Sequence, residues 1–349
     1  MRFACQTFID AGDHAAVLEG WDQRYFQLGS GKFESSMWQL SLDALHIFYE
    51  TANRRVAQQV TPPRDTIAFG LPVGETAPYT FAGRALAADS LMVARGNREF
   101  VMHSPENMKL IGVEVSLDAF SRFAPTSEVR RYIERPNGPP ILSVSPERLK
   151  QVGARLLQLL RVIESEPEIL SNDCAEARVR AQIVDAISEL LDDEMSDTRA
   201  DFTQLCHSEI VERTRQLVLQ SGDEPITVQQ LCELLKVSRR TIQNSFQTMT
   251  GLTPVEYMRS IRLNLVRNFL RTTRPEEFTI RDAAQLWGFL HLGHFAHDYR
   301  CQFGESPSDT RSLRRIEGAV AATALPAPKY RRDCDQSEID PEKRTSILL

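Results

Sequence analysis

Two stretches of this chain repeat each other at an offset of 53 residues: Ile242, Phe246, Gly251 and Pro254 line up with Phe295, Tyr299, Gly304 and Pro307. An internal repeat of this kind means two copies of one supersecondary unit, which restricts the fold more than any compositional feature does. Both copies read as helix, tight turn, helix. In the first, Thr227 with Gln230 three residues on makes a capping box and opens a short helix bearing Val228, Leu231 and Leu235. Lys236 and Val237 interrupt it, and Ser238 caps a second helix from Arg239 to about Met249. In the second copy Thr279 and Asp282 cap a helix that turns Ala283, Ala284 and Trp287 inward, and Gly288-Phe289 forms the turn. The helix after it buries Leu292, Phe295, Tyr299 and Phe303.

The outward faces of the two second helices carry the chemistry. At about 100° per residue, Ile242, Phe246 and Met249 fall on one side, and Arg240, Gln243, Asn244 and Gln247 on the other. Arg can bond guanine O6 and N7 bidentately, and Gln or Asn can do so with adenine. A plain solvated face is the commoner use of such residues, but a tight turn immediately before it shifts the balance toward base reading. In the second copy Gly293, His294, His297 and Arg300 face outward.

The triplet His291, His294, His297, followed by Cys301, raises a metal site as the rival reading. Zinc needs three or four ligands at about 2.0 to 2.3 Å. His291 precedes the helix and points elsewhere, and Asp298 lies on another flank, so the ligands do not converge. No metal and no cofactor is expected; His294 and His297 are assigned to DNA, with Gly293 letting the backbone approach it.

Between the copies, Thr253-Pro254-Val255-Glu256 joins a capping box to a proline at the first helical position. The helix it opens runs to about Arg271, about 27 Å, a length that can hold two recognition helices near the roughly 34 Å between major-groove faces one turn apart. Its Arg259, Arg262, Arg267 and Arg271 read as partly solvated and partly phosphate-contacting. Ser238, Thr253 and Ser306 stand at helix N-termini, where free N–H groups and the helix dipole suit a phosphate.

The rest of the chain differs in texture. From about residue 36 to 117, short β-branched or aromatic runs broken by Gly and Pro predict an antiparallel barrel or sandwich. Ser145-Pro146 then starts a helix with Leu149, Val152, Leu156, Leu159 and Ile163 at alternating spacings of three and four, and a second carries Val179, Ile183, Ile187 and Leu190. Those stripes either pair with a second subunit or pack on their own barrel. The expected organisation is therefore α+β: residues 1–145 a β regulatory domain, 146–200 helices for dimerisation or packing and a polar linker, 204–315 an all-α DNA-binding domain, and 316–349 a disordered tail.

Charge follows the same division. Residues 204–315 hold 15 Lys+Arg against 12 Asp+Glu, while the remainder holds 26 against 35, so the net −6 conceals a mildly basic block on an acidic one. The six cysteines are scattered without a C-x-x-C pair, which argues against a disulfide framework or a zinc knuckle and fits a reducing cytoplasm. No long apolar run and no leader-like start is present, so neither a membrane span nor export is expected.

The residues "VSRRTIQNSFQTMTGLTPVEYMRSIRLNLVRNFL" and "IRDAAQLWGFLHLGHFAHDYRCQFGESPSDTR" resemble the AraC/XylS family of bacterial transcription regulators over about residues 207 to 315. The "GFLHLGHFA" form is similar to the second motif of benzoate-responsive activators. The stretches "GKFESSMWQLSLDALHIFYE" and "FGLPVG" are similar to the ethanolamine-utilisation regulators of the same family. The resemblance implies a DNA-binding module of two helix-turn-helix units joined by a linker helix, preceded by a cupin-like barrel for a small effector and by dimerisation helices. It places base-reading positions on Arg240, Gln243 and Asn244, and on Leu292, Gly293, His294, Ala296 and His297. It also implies an activator that recruits RNA polymerase at promoter DNA, acts as a homodimer, and takes a small amine or amino alcohol as effector; no pocket residue is identified.

Two other readings compete. A metal-dependent cupin-type enzyme needs about three histidines and a carboxylate in the barrel, whereas residues 1–145 offer His14, His46 and His103, far apart in sequence. No nucleophile elbow, phosphate loop or dinucleotide fingerprint appears either, so no enzyme is expected. An architectural DNA protein without sequence preference would have no use for an acidic ligand-binding domain.

Overall fold

The alternation of inward and outward side chains along short strands builds the first part of the molecule as two facing antiparallel sheets. In the computed structural model the described residues are 2–74, 79–119, 138, 140–170, 172–192, 202–274 and 278–313. The larger sheet runs in the order β1 (Arg2–Phe8), β3 (Ser35–Leu42), β4 (Leu45–Ala52), β11 (Met108–Ser116), β6 (Thr66–Pro72), β9 (Ser90–Arg95) and β12 (Ile141–Ser143). The smaller runs β2 (Asp22–Gln27), β5 (Val56–Thr61), β10 (Phe100–Ser104), β7 (Thr80–Phe81) and β8 (Arg84–Ala85). A short helix, α1 (Ala11–Ala15), follows β1 and is capped by the Asp10 carboxylate.

Among the described residues the sheets do not close into the expected barrel. Closure would require an edge of one sheet to hydrogen-bond to an edge of the other. Edge strand β2 is instead met by a helix: Gln27 N donates to Asn264 Oδ1 and Gln27 O accepts from Asn264 Nδ2, each at 2.9 Å. Covering an edge in this way satisfies its main chain without a further strand.

Strand β4 is buried on both faces, because a period of two sends neighbouring residues to opposite sides. Ile47 and Tyr49 pack outward into a core shared with α2 (Pro146–Ser165) and α3 (Asp173–Asp192), whereas Phe48 and Glu50 point between the sheets. On α2 the buried set is Val152, Gly153, Leu156, Leu160 and Ile163, with Leu149 and Leu159 only partly covered. A stripe facing a sheet follows the 3.6-residue period of a straight helix rather than a coiled-coil seam, and here it is spent inside the chain.

The remaining helices are α4 (Phe202–Gln220), α5 (Val228–Leu235), α6 (Arg239–Thr250), α7 (Pro254–Thr272), α8 (Ile280–Leu286), α9 (Leu292–Phe303) and α10 (Pro307–Leu313). The sequence-derived starts hold at residue level. Thr227 with Gln230, Thr253 with Glu256, and Thr279 with Asp282 all form reciprocal capping boxes, and Ser238 accepts from Thr241 N. Gly251 and Gly304, equivalent in the repeat, both end a helix at positive φ, 67° and 70°, the left-handed conformation that favours glycine. The core around these helices includes Phe26 and Ala57 from the smaller sheet and Leu28 just after β2, so one apolar cluster joins the two parts. The layers are thus helices, larger sheet, a space between sheets, smaller sheet, helices. The polar stretch expected as a linker lies almost wholly outside the described residues, and the expected tail 316–349 lies entirely outside them.

Candidate functional site

Each repeat presents its second helix in the same way. Lys236, left-handed at φ 54°, ends α5 and lets Ser238 start α6. Ile242, Phe246 and Met249 then face the core, and Arg240, Gln243, Asn244 and Gln247 are exposed. In the second repeat Gly288 makes the turn, and His291 is the N-cap of α9 without a side-chain capping bond. Phe295, Tyr299 and Phe303 are buried, while Gly293, His294, Ala296 and His297 are exposed and a Cβ on Gly293 would meet nothing within 4 Å. Leu292 is partly buried against the helical core, the inward side that its periodicity indicates.

The histidines do not gather. The rings of His291 and His294 are 6.3 Å apart, and His297 Nε2 sits 3.6 Å from Cys301 Sγ one turn away. Among the described residues no group of three His, Cys, Asp or Glu side chains can hold a metal ion.

The helix N-termini proposed for phosphate are already furnished with the chain's own carboxylates. Thr253 N donates to Glu256 Oε2 at 2.8 Å, and Ser306 N donates to Asp309 Oδ2 at 2.9 Å. Ser238 has no carboxylate of this kind; its hydroxyl bonds Thr241 Oγ1 at 2.8 Å.

The arginines of α7 correct the sequence reading most clearly. Arg267 is nearly buried between Asp10 and Glu305, at 2.6 Å from each, and Arg271 pairs with Asp10 and Asp13. Arg262 lies over the Phe289 ring at 5.0 Å, and Arg259 pairs with Asp298 at 3.7 Å. Arg262, Arg267 and Arg271 are thus engaged within the protein, whereas Arg259 remains exposed. The sequence named no partner for Arg267 and Arg271 because Asp10 is more than two hundred residues away and nothing local points to it.

The N-terminal part grips both repeats at equivalent places. Arg55 Nη1 donates to Thr250 O at 2.7 Å, at the end of α6, and Gly31 N donates to Cys301 O at 2.9 Å, at the end of α9. Donors at helix C-termini satisfy orphan carbonyls and favour the helix dipole. Gln27 Nε2 adds a bond to Gln302 O at 2.7 Å, and Gln302 Nε2 returns one to Gln27 O at 2.8 Å. Arg215, 2% exposed and held bidentately by Glu212, donates to Gln59 Oε1 at 2.7 Å. With the two parts docked in this way, the eight candidate base-facing positions all stay exposed.

A small cavity, partly open to solvent, lies between the sheets and is lined by Trp21, Tyr25, Phe48, Glu50, Gln58 and Phe100 among others. Its wall on one side is the smaller sheet, whose opposite face carries the helical part. Tyr25 faces the cavity and Phe26 the helices; Gln58 the cavity and Gln59 Arg215; Met102 the cavity and His103 Tyr257, at 3.4 Å between Nε2 and the hydroxyl. Sequence reasoning missed this pocket, since its residues come from strands distant in the chain. Burial pushes the Glu50 carboxyl up to about 7, against hydrogen bonds from Tyr25 and Gln58 that pull it down. By distance His14 Nε2, 3.6 Å from Glu50 Oε1, would be its ion-pair partner, but burial pushes His14 down to about 4, so near neutral pH the imidazole is uncharged.

A family model described as a helix-turn-helix domain matches residues 231–312. The chain is 40% identical over 106 residues to a XylDLEGF operon transcriptional activator 2 of Pseudomonas putida, covering 30% of this chain and 68% of that protein. It is 38% identical over 110 residues to a second XylDLEGF operon transcriptional activator of the same organism, covering 32% of this chain and 34% of that one. The match thus spans only about a third of the second relative. Among solved structures, a probable AraC family transcriptional regulator from Rhodopseudomonas palustris CGA009 is 34% identical, with a TM-score of 0.28, over 30% of this chain and 97% of that one.

Proposed function

The chain belongs to the AraC/XylS family of transcription regulators, a regulatory and not an enzymatic family, and from that premise we propose that it reads promoter DNA with two helix-turn-helix units in successive major grooves. Helix α6 supplies Arg240, Gln243, Asn244 and Gln247, and α9 supplies Gly293, His294, Ala296 and His297. The observation that carries this reading is their joint exposure on two equivalent helices whose opposite faces are buried around α7. Helix α7 has 19 residues, about 28 Å, close to one turn of duplex. Ser238 is the favoured phosphate contact. At Thr253 and Ser306 a phosphate must first displace Glu256 or Asp309, because a carboxylate already occupies each N-terminus and repels it.

In this reading residues 1–145 are a cupin-like regulatory domain whose two sheets enclose a small organic effector, and 146–200 complete it. Strands β2, β5 and β10 stand between cavity and helices, so a ligand that shifts Tyr25, Gln58 or Met102 moves Phe26, Gln59 or His103 beside them. The effector changes promoter affinity to the extent that it prefers one domain arrangement. Activation is proposed from likeness to the activators named above; recruitment of RNA polymerase and a homodimer remain what the family resemblance implies.

Competition of promoter against random DNA at fixed salt, with nuclease footprinting, tests the proposal. Two protected tracts one helical turn apart are expected. Equal affinity for both DNAs would make this an architectural protein.

A further inference from the structure

We propose that the space between the sheets is a receptor for a small organic molecule bearing a primary ammonium group, seated on Glu50 and ringed by aromatic side chains. This deepens the effector reading above and rests on it only for the consequence at DNA. Glu50 is the one charged side chain lining the cavity among the described residues, and it is 2% exposed.

Three donors that line the cavity are already engaged, two of them on Glu50. Trp21 Nε1 donates to Glu114 Oε2 at 2.7 Å, Gln58 Nε2 to Glu50 Oε1 at 3.1 Å, and the Tyr25 hydroxyl is hydrogen-bonded to the same carboxyl group. Gln23 Oε1 is buried without a partner, and the carboxylate of Glu50 keeps lone pairs beyond those two donors. Those two acceptors suit a ligand that brings N–H donors and positive charge. The faces of Trp21, Tyr25, Phe48 and Phe100 favour a cation through their ring quadrupoles. A carboxylate ligand would be repelled by ionised Glu50.

Small size follows from the floor of the pocket. Gly70 and Gly112 are directly paired between β6 and β11, and both line the cavity. The Phe48 ring lies across Gly112 so closely that a Cβ there would fall 2.1 Å from it. The volume left above these two glycines suits a molecule of a few heavy atoms.

The groups facing Glu50 are Tyr25 from β2, Gln58 from β5 and His14 from α1. His14, stacked on Phe8 at 5.0 Å, is neutral near pH 7 and supplies no countercharge. An ammonium ligand supplies it, and so binds the ionised form of a carboxyl group that titrates near 7.

The test is calorimetric titration and thermal melting of the full chain with n-propylammonium, tetramethylammonium, 1-propanol and butanoate at pH 6 and pH 8. Propylammonium is expected to bind and raise the melting temperature, about tenfold more tightly at pH 8 than at pH 6, with tetramethylammonium weaker. Glu50→Gln should weaken it at least tenfold, and Gln23→Leu by a smaller factor. If Glu50→Gln does not fold, Gln23→Leu alone carries the comparison. Propanol or butanoate binding as well as propylammonium, unchanged affinity in the variants, or no binding of propylammonium would overturn the proposal. Glu50-dependent binding that leaves promoter affinity unchanged supports the receptor and sinks the effector reading instead. A non-cationic compound that alters promoter affinity through this cavity does the reverse.

Discussion

Arg267 Nε lies 2.6 Å from Asp10 Oδ2 with the two side chains 11% and 9% exposed, so a helix of the DNA-reading part is anchored on the N-cap of α1. Asp10 also accepts from Gly12 N at 2.8 Å and holds Arg271. Burial pushes its carboxyl up, but Arg267 and Arg271 outweigh that and hold it below the usual carboxylate range. The stability it contributes is therefore present above the ordinary carboxylate value and lost as pH falls through the lowered one. Asp10→Ala leaves two guanidinium groups under-compensated and removes the cap of α1. We expect a loss of about 3 to 5 kcal/mol in urea denaturation at pH 7. A loss below about 1 kcal/mol would show that the pair does not hold the parts together.

Gln27 joins the same two parts through neutral groups. Gln27→Leu keeps the size but strands the carbonyls of Gly31 and Gln302 that its amide serves at 2.7 Å each. An unmade buried bond costs about 1 to 3 kcal/mol, and these lie at the interface rather than inside either part. The expected outcome is faster hydrogen exchange in α7 and α9 and a calorimetric transition that separates into two. One transition, shifted but undivided, would place the coupling elsewhere.

What was legible in the sequence is what acts locally. Each capping box is a contact between residues three apart, and the outward faces of α6 and α9 follow from one helical period. Arg267 and Arg271 depart from their sequence reading because a helix sequence states which residues share a face but not what covers it, and Asp10 meets both. The stripe on α2 was read with Leu159, yet Leu160 is the fully buried one, since a sheet rather than a second helix receives it. Glu50 gave no signal: one carboxylate in an apolar strand acquires its meaning from Gln58 and Tyr25, which only the sheet pairing brings near.

Two buried histidines should shape the acid limb of stability. Burial pushes His103 down to about 4, with Arg215 and Arg55 adding to the effect, and burial does the same to His14. Below about pH 6.5 the unfolded chain takes up protons that the folded chain refuses, so stability falls as pH drops toward 4. Glu50 works in the opposite sense, its contribution being lost as pH rises through about 7. His103→Asn, which can keep a bond to Thr80 Oγ1, should flatten the acid limb by on the order of 2 to 3 kcal/mol between pH 6.5 and 4. Chemical denaturation across that range measures it; an unaltered slope would mean His103 takes up its proton in the folded state.

Base reading makes a different kind of prediction, because Arg240 and His297 are exposed and leave the fold untouched when shortened. Arg240→Ala or His297→Ala should melt like the parent protein, since surface changes away from structural contacts alter stability by less than about 0.5 kcal/mol. Each should weaken promoter binding by about 1 to 3 kcal/mol and relax discrimination at one base pair. The affected base pairs should lie about one helical turn apart, Arg240 acting through one groove and His297 through the next. Binding measured against a set of single-base promoter variants decides the matter. A uniform loss on every sequence, with a shallower salt dependence, would make these residues phosphate contacts and move sequence reading to other side chains of α6 and α9.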